Sequence, residues 1–334
     1  MTAGEAVSRL LGRPVAGVTS LGGAYRARVT DGSEVVAKRH ASASAVQAEA
    51  AGLRWLRAAS GPPNSSLATS TDSPGAADAN REEVHPPNPN QRDFRQPGGP
   101  PESTLPEGTD SSGASAVGCP QVPAVLGFDD EWLVMELVPA GRPSAAAAEE
   151  FGRALTALHR AGAARFGVAP PGGPADAWIG LAPMRNVAGA RWPEWFAEHR
   201  VLPYLRTAVD QGVLHDPAPI EAVCARIGEL AGPHEPPARL HGDLWNGNVL
   251  WADQVWLIDP AAHGGHRETD LAMLHLFGCP HLERIVAAYH DSDPLADGWR
   301  ERIPLHQLFP LLVHTVLFGG GYGAQAVAAA RSLA

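Results

Sequence analysis

Residues 4–11 read as a short helix, and from residue 15 apolar and polar residues alternate with a period of two to about residue 38. Residues 15–18 and 25–29 read as strands flanking the polar stretch Thr19-Ser-Leu-Gly-Gly-Ala24. Asp31-Gly32 is a hairpin signal, and Glu34-Val-Val-Ala-Lys38 reads as the next strand. The period then lengthens. Val46, Ala50, Leu53 and Leu56 form an apolar stripe at spacings of four and three, which predicts a helix over 43–59 with Glu49 beside the stripe. Strands resume over 121–128 and 131–138, turning at Asp129-Asp130 and stopping before Pro139-Ala-Gly141. From about residue 145 the helical period dominates. Phe151, Leu155 and Leu158 share one face of a helix that runs to His159. Further helices are expected over 195–209, 220–230, 268–277, 282–289 and 304–318, with Pro203 kinking or starting a segment. Two short strands, 249–251 and 255–258, interrupt them around a turn near Asp253.

This order predicts an α+β chain with two lobes. A small antiparallel sheet occupies residues 1–138, a mainly helical part occupies 139–334, and a hinge lies between them. Residues 60–115 fit neither lobe. They are rich in Pro, Gly, Ser and Asn, poor in aliphatics, and carry eight acids and three arginines. Such a segment cannot bury enough apolar surface to offset its ordering entropy, so it reads as a disordered surface insertion.

Composition narrows the functional classes. The 334 residues are 44% apolar, enough for a substantial core, and carry a formal charge of −10. No basic excess exists to bind nucleic acid or an anionic membrane. The run 308–318 is short and interrupted by His314, so it reads as a buried helix and not a membrane span. Cys119, Cys224 and Cys279 are widely separated and suggest no disulfide framework. Met1-Thr-Ala-Gly-Glu5 places no basic patch before an apolar run, so no signal peptide is expected and a cytoplasmic location is. Among 26 basic side chains one is lysine, Lys38, and it ends a predicted strand. Its retention suggests a site that needs a compact ammonium, which a guanidinium cannot replace.

The chemistry concentrates in His241-Gly-Asp-Leu-Trp-Asn-Gly-Asn248 and in Asp259, which ends Val255-Trp-Leu-Ile258. Asp243, on a glycine-assisted turn, can orient a hydroxyl and accept its proton. Asn248 and Asp259 are hard oxygen donors suited to Mg2+. Lys38 can hold nucleotide phosphates if Glu49, on the following helix, fixes it. Gly22 and Gly23 sit where a phosphate-covering loop belongs, although they match no full glycine-rich signature. Glu136 and Val138 stand where main-chain groups could meet an adenine. His241 reads as a structural histidine that holds the loop, and Asp270 as a helix cap or a brace for the same loop. Trp245 lies between Asp243 and Asn248, close to any acceptor, and Trp178 is a further stacking candidate. His263, His266 and Glu268 are candidates on the acceptor side; without a cysteine at metal-site spacing, the two histidines do not suggest zinc.

These motifs resemble the fructosamine kinase (ketosamine-3-kinase) family, within the wider aminoglycoside-phosphotransferase-like, protein-kinase-like group. The resemblance runs from about Leu21 to Tyr322, omitting the insertion. It is carried by Leu21-Gly-Gly23, Lys38, Glu49, Leu158-His159, Trp178-Ile-Gly180, the 241–248 motif, Asp259-Pro-Ala-Ala-His-Gly-Gly-His-Arg-Glu-Thr-Asp270 and Phe318-Gly-Gly-Gly-Tyr322. It implies ATP- and Mg2+-dependent phosphorylation of a sugar hydroxyl, at O3 of a glycated amine. Asp243 would be the base, Asn248 and Asp259 the metal ligands, Lys38 the phosphate anchor and Glu49 its partner. Residues 261–266 depart from an aromatic-rich tract of the family, which puts substrate choice in question. Two other readings compete. An aminoglycoside- or choline-type phosphotransferase would need an acidic pocket, for which Glu194, Glu198, Glu268 and Asp270 are available. A catalytically dead binding module would be expected to lack Lys38, Asp243 or Asp259, and all are present. A protein kinase is disfavoured because no Asp-Phe-Gly or Ala-Pro-Glu follows.

Overall fold

The computed structural model describes residues 1–59, 118–138, 141–252 and 254–333. The 60–115 insertion lies outside the described residues, as do Pro139 and Ala140 of the expected hinge. Thr2 closes a capping box with Glu5 at the start of α1 (Ala3–Leu11). There follow β1 (Val15–Leu21), β2 (Ala24–Val29), β3 (Glu34–Arg39), α2 (Ala43–Ala58), β4 (Val125–Phe128) and β5 (Trp132–Glu136). The strands form one antiparallel sheet in the order β1-β2-β3-β5-β4. Alternation along β3 explains its two faces. Val35 and Ala37 pack with Ala6 and Val7 of α1, while Val36 and Lys38 face the side covered by α2. Strand period therefore delivers the lone lysine beneath the helix that carries Glu49.

The second part is mainly helical. It comprises α3 (Ala145–Arg160), the hairpin β6 (Asp176–Ile179) and β7 (Ala182–Arg185), α4 (Trp192–Phe196), α5 (Leu202–Asp210), α6 (Ala218–Ala225) and α7 (Ile227–Leu230). Then come β8 (Ala238–Leu240), β9 (Val249–Trp251), β10 (Val255–Leu257), β11 (His263–Gly265), α8 (Arg267–Phe277), α9 (Leu282–Ser292), α10 (Trp299–Phe318) and α11 (Tyr322–Arg331). The helix expected over 195–209 begins earlier and passes through a π-type turn, Ala197–Val201, before α5. Pro203 follows closely on the π-type turn, where the helix continues without a donor at that position. The short pairs β6–β7 and β8–β11 were not expected from the sequence. No helix among the described residues is long and apolar enough to cross a membrane.

One buried carboxylate ties this helical core to the motif at 241–248. Asp270, in the first turns of α8, accepts the backbone N–H groups of His241 (2.8 Å) and Gly242 (2.9 Å). Its Oδ2 also takes the Nε2–H of His159 in α3, at 3.2 Å. With that proton placed, His159 Nδ1 accepts the Tyr289 hydroxyl of α9 at 2.8 Å. Asp270 therefore braces the loop; the cap of α8 is His266, whose Nδ1 accepts from the Glu268 N–H. Gly242 has φ +82°, and a Cβ there would stand 2.1 Å from the Ala261 carbonyl oxygen. Only glycine permits that approach.

Burial raises the Asp270 carboxyl, but the hydrogen bond and charge of His159, with His241 and the Gly242 N–H, outweigh it and hold the group below its ordinary 3.8. A carboxylate depressed on folding stabilises the fold above its unfolded pKa and loses that contribution as pH falls through the folded value. Stability should therefore decline as pH drops below about 4, and Asp270→Asn should flatten this acid limb in urea unfolding followed at several pH values. At neutral pH Asp270→Ala should cost on the order of 3–5 kcal/mol, because buried donors lose their acceptor. A loss under about 1 kcal/mol would contradict the bracing role.

Candidate active site

The site assembles where β3, α2, the 241–248 loop and the turn after β10 meet. The Lys38 ammonium is 2.8 Å from Glu49 Oε2 and 3.0 Å from Asp259 Oδ1. Burial lowers the lysine's pKa, but the two carboxylates outweigh that and leave it raised. Glu49 is buried, which pushes its carboxyl up to about 7 against the pull of Lys38. His40 contributes a further nitrogen, 3.3 Å from Glu49 Oε2, and its burial beside Lys38 lowers the imidazole to about 4. Neither His40 nor its role was visible beforehand; its position two residues past Lys38, on the same strand face, was the available signal.

Asp259 has φ +54°, a left-handed backbone that is costly for a side chain with a Cβ. Strained residues of this kind persist where surrounding structure holds them. Here Ile258 is fixed on both sides: its N–H donates to the Asn248 carbonyl (3.1 Å), and its carbonyl accepts His241 Nε2–H (3.0 Å). His241 Nδ1 accepts the Asp243 N–H at 3.3 Å, which places the ring proton on Nε2. This matches the structural reading of His241.

Asn248 donates its Nδ2 to the Asp243 carbonyl (2.8 Å) and to Asp243 Oδ2 (3.2 Å). Its Oδ1 is thereby turned away from Asp243. Burial pushes the Asp243 carboxyl up to about 7; the Asn248 bond opposes this, and the charges of Asp259 and Asp270 add to it. Three carboxylates thus surround one ammonium, and the local balance is short of positive charge.

A cavity of about 380 Å³ opens over these groups. Lys38, Glu49, Asp243, Asn248 and Asp259 line it together. Trp178, Leu181 and Trp245 line it as well, and Leu181, at 75% exposure, was not anticipated. The Trp178 indole N–H donates to Ser44 Oγ of α2 at 3.3 Å, which links the β6–β7 hairpin to the helix bearing Glu49. Trp245 can stand at this mouth because Gly247 carries no side chain; a Cβ there would meet the indole at 2.2 Å.

Other expected residues do not line this cavity. Gly22 and Gly23 form the β1–β2 turn, with φ of +48° and +90°. Glu136 ends β5, and its side chain accepts the Ala124 N–H; Val138 follows it, half-buried. His263, His266 and Glu268 need correction as acceptor-side candidates, because each is buried and engaged elsewhere. His263 Nδ1 bonds the Ala261 carbonyl, and burial lowers its imidazole to about 3. His266 caps α8 and lies 4.9 Å from the Trp192 ring. Glu268 is forked by Arg302 at 2.6 and 2.9 Å and faces His306 at 3.2 Å. Burial raises Glu268, yet His306 and Arg302 bring it to about 2. His266, Glu268 and His306 are close enough to hold a cation, but Arg302 already occupies both Glu268 oxygens. Of the departing 261–266 tract, Ala261 and Ala262 line the cavity.

Comparison with known proteins bears on the family and the fold. A protein of Synechocystis sp. named a probable ketoamine kinase is 38% identical over 199 residues, 58% of this chain and 65% of that protein. The chain thus matches just under two thirds of the length of that curated relative. A crystal structure described as that of a candidate fructosamine-3-kinase from Thermobifida fusca is 40% identical, with a TM-score of 0.76 over 99% of this chain and 98% of that one. A macrolide 2'-phosphotransferase, 16% identical with a TM-score of 0.51 over 99% and 95% of the two chains, shares the bilobal, protein-kinase-like fold alone. The family model described as fructosamine kinase matches residues 111–333, more than half of the sequence, and the chain belongs to that family.

Proposed function

We propose that this protein transfers the γ-phosphoryl group of ATP to a sugar hydroxyl of a ketosamine, at O3 of a fructosamine- or ribulosamine-type adduct. The observation that carries the reading is the meeting of Lys38, Glu49, Asp243, Asn248 and Asp259 at one cavity. In this reading residues 1–138 hold the nucleotide and 139–334 supply the acceptor site. Glu49 holds Lys38 in place, and Lys38 contacts the α- and β-phosphates. Gly22 and Gly23 offer backbone N–H groups to the phosphates, and main-chain groups between Glu136 and Val138 meet the adenine.

Mg2+ suits the donor set. Asn248 Oδ1 and the Asp259 carboxylate are hard oxygen ligands, and three carboxylates beside one ammonium call for a cation. When bound there it would neutralise charge on the β- and γ-phosphates. Asp243 orients the sugar hydroxyl and receives its proton as the new oxygen–phosphorus bond forms and the bond to the ADP oxygen breaks. A base whose carboxyl is raised toward neutrality by burial is well matched to that task.

The aminoglycoside-type alternative loses its expected acidic pocket. Glu194 and Glu198 are exposed, Glu268 and Asp270 are buried in other networks, and none of the four lines the cavity. ADP release measured with fructosamines, ribulosamines, aminoglycosides and plain sugars tests the substrate class. Turnover on ketosamines is expected; turnover on aminoglycosides alone would overturn the reading. Asp243→Asn should lower kcat by about 10²- to 10⁴-fold while leaving nucleotide affinity nearly intact, as read by calorimetry beside steady-state kinetics. Equal loss of both would remove the base assignment. Lys38→Ala should weaken ATP binding or turnover at least about tenfold, and near-normal kinetics would show that the single lysine is not the phosphate anchor.

A further inference from the structure

The β6–β7 hairpin brings Trp178 and Leu181 to the cavity. A two-stranded hairpin is marginal by itself, so other contacts must hold it in place. On one edge β7 pairs with β6, and the Asn186 N–H closes the base on the Ala175 carbonyl at 2.7 Å. The carbonyls of Pro183, Arg185 and Val187, two residues apart, then face away from β6. One side chain takes each of them. The Tyr204 hydroxyl donates to Pro183, Arg200 Nη1–H to Arg185 at 2.9 Å, and the Trp195 indole N–H to Val187 at 2.7 Å. Arg200 Nη2–H adds a bond to Asn186 Oδ1 at 3.0 Å. Three side chains thus stand where a third strand would pair.

The π-type turn aligns them. Along an α-helix, residues four apart share a face. Tyr204 is four residues past Arg200, but Arg200 is five past Trp195. The Leu202 N–H donates to the Ala197 carbonyl, five residues back, which inserts the extra residue between Trp195 and Arg200. Arg200 is therefore fully buried, while His199, which a regular helix would put in its place, is half-buried. The Arg200 guanidinium meets the rings of Trp195 and Phe309, at 4.6 and 5.7 Å, and no carboxylate among the described residues. Burial lowers it to about 10. A buried cation without a counter-charge is costly, so its retention points to the carbonyls it holds.

We infer that Arg200, aided by Tyr204 and Trp195, is a positioning residue for acceptor binding: it fixes the β6–β7 hairpin so that Trp178 and Leu181 stand as an acceptor wall of the cavity. The inference rests on the ketosamine reading above, in which residues 1–138 hold the nucleotide and the acceptor reaches Asp243 from the helical part. Outside the 241–248 loop, Trp178 is the one aromatic ring that the helical part brings to the cavity among the described residues. Aromatic and aliphatic walls of this kind are what small-molecule sites are made of. Trp178 is fixed from two directions. Its indole N–H bonds Ser44 of α2, and its partner across the hairpin is Pro183, whose carbonyl Tyr204 holds. Displacing β7 therefore displaces the indole, although no atom of Arg200 lines the cavity.

The test compares Arg200→Met with Tyr204→Phe, which removes one donor and keeps its ring, in steady-state kinetics with free fructosyl-lysine and ATP. Arg200→Met should raise the KM for fructosyl-lysine about tenfold and Tyr204→Phe about threefold, while kcat and the KM for ATP stay within about twofold of native. A purely structural role would lower the folded fraction, and hence the apparent kcat, and would leave both KM values in place. Hydrogen exchange read by mass spectrometry is the second measurement. In Arg200→Met the amides of 176–186 should exchange about tenfold faster, with those of 241–248 unchanged. An unchanged fructosyl-lysine KM, a matching rise in the KM for ATP, or unchanged exchange in the hairpin would each overturn the inference. Should Arg200→Met not fold, Tyr204→Phe decides by the same readings. Failure of the native enzyme to turn over fructosyl-lysine would remove the ketosamine reading alone; the hairpin is then judged by exchange and by the KM of whichever acceptor the ADP-release comparison identifies.

Discussion

A single ammonium between two carboxylates organises this molecule. Lys38 comes from the sheet, Glu49 from the helix that covers it, and Asp259 from the turn that follows β10. Two successive elements and a turn some two hundred residues later are brought together by one charge. Attraction of this kind is strong where water is scarce, and the lysine keeps its proton against burial because both partners are within 3.0 Å. The same contact sets the site's electrostatics. Burial drives Asp243 and Glu49 toward neutrality; the charge of Asp259 adds to this at both, while Lys38 opposes it.

Geometry on the other side of the cavity depends on a second buried charge. Asp270 converts helical packing into loop position: its carboxylate, on α8, binds His159 of α3, which is held in turn by Tyr289 of α9, and the backbone of His241 and Gly242 hangs from it. His241 then passes the constraint to Ile258, next to the strained Asp259. Backbone strain at Asp259 is thus held by hydrogen bonds anchored in the core of the helical part. A site built this way is preorganised, which is what phosphoryl transfer by positioning and electrostatics requires.

Much of this was legible in the residues. The period-two pattern of β3 and the four–three stripe of α2 predicted both elements, and the charges of Lys38 and Glu49 at those positions predicted their meeting. Asp243, Asn248 and Asp259 were marked by their spacing. The 249–251 and 255–258 strands were foreseen almost to the residue, because a tight turn and alternation leave little choice. The pairs β6–β7 and β8–β11 were not foreseen; β8 and β11 in particular lie far apart in sequence, with no joining turn to announce their pairing. His263, His266 and Glu268 were misread for a related reason. Sequence shows that polar groups lie near a motif but not which side of a strand or helix they occupy, and here Trp192, Trp195 and Arg302 claim them from the core side. Asp270 was left between cap and brace, and the choice was made by Tyr289 and His159, partners that no local pattern announces.

The central claim is that Lys38 and Asp259 act as one unit across the cleft. A double-mutant cycle with Lys38→Met and Asp259→Asn, read as affinity for MgATP by calorimetry, tests it most directly. The account predicts strong non-additivity, with a coupling on the order of 1–3 kcal/mol and the double variant little weaker than the worse single one. Losses that simply add would contradict it, because the two side chains would then be serving independent sites.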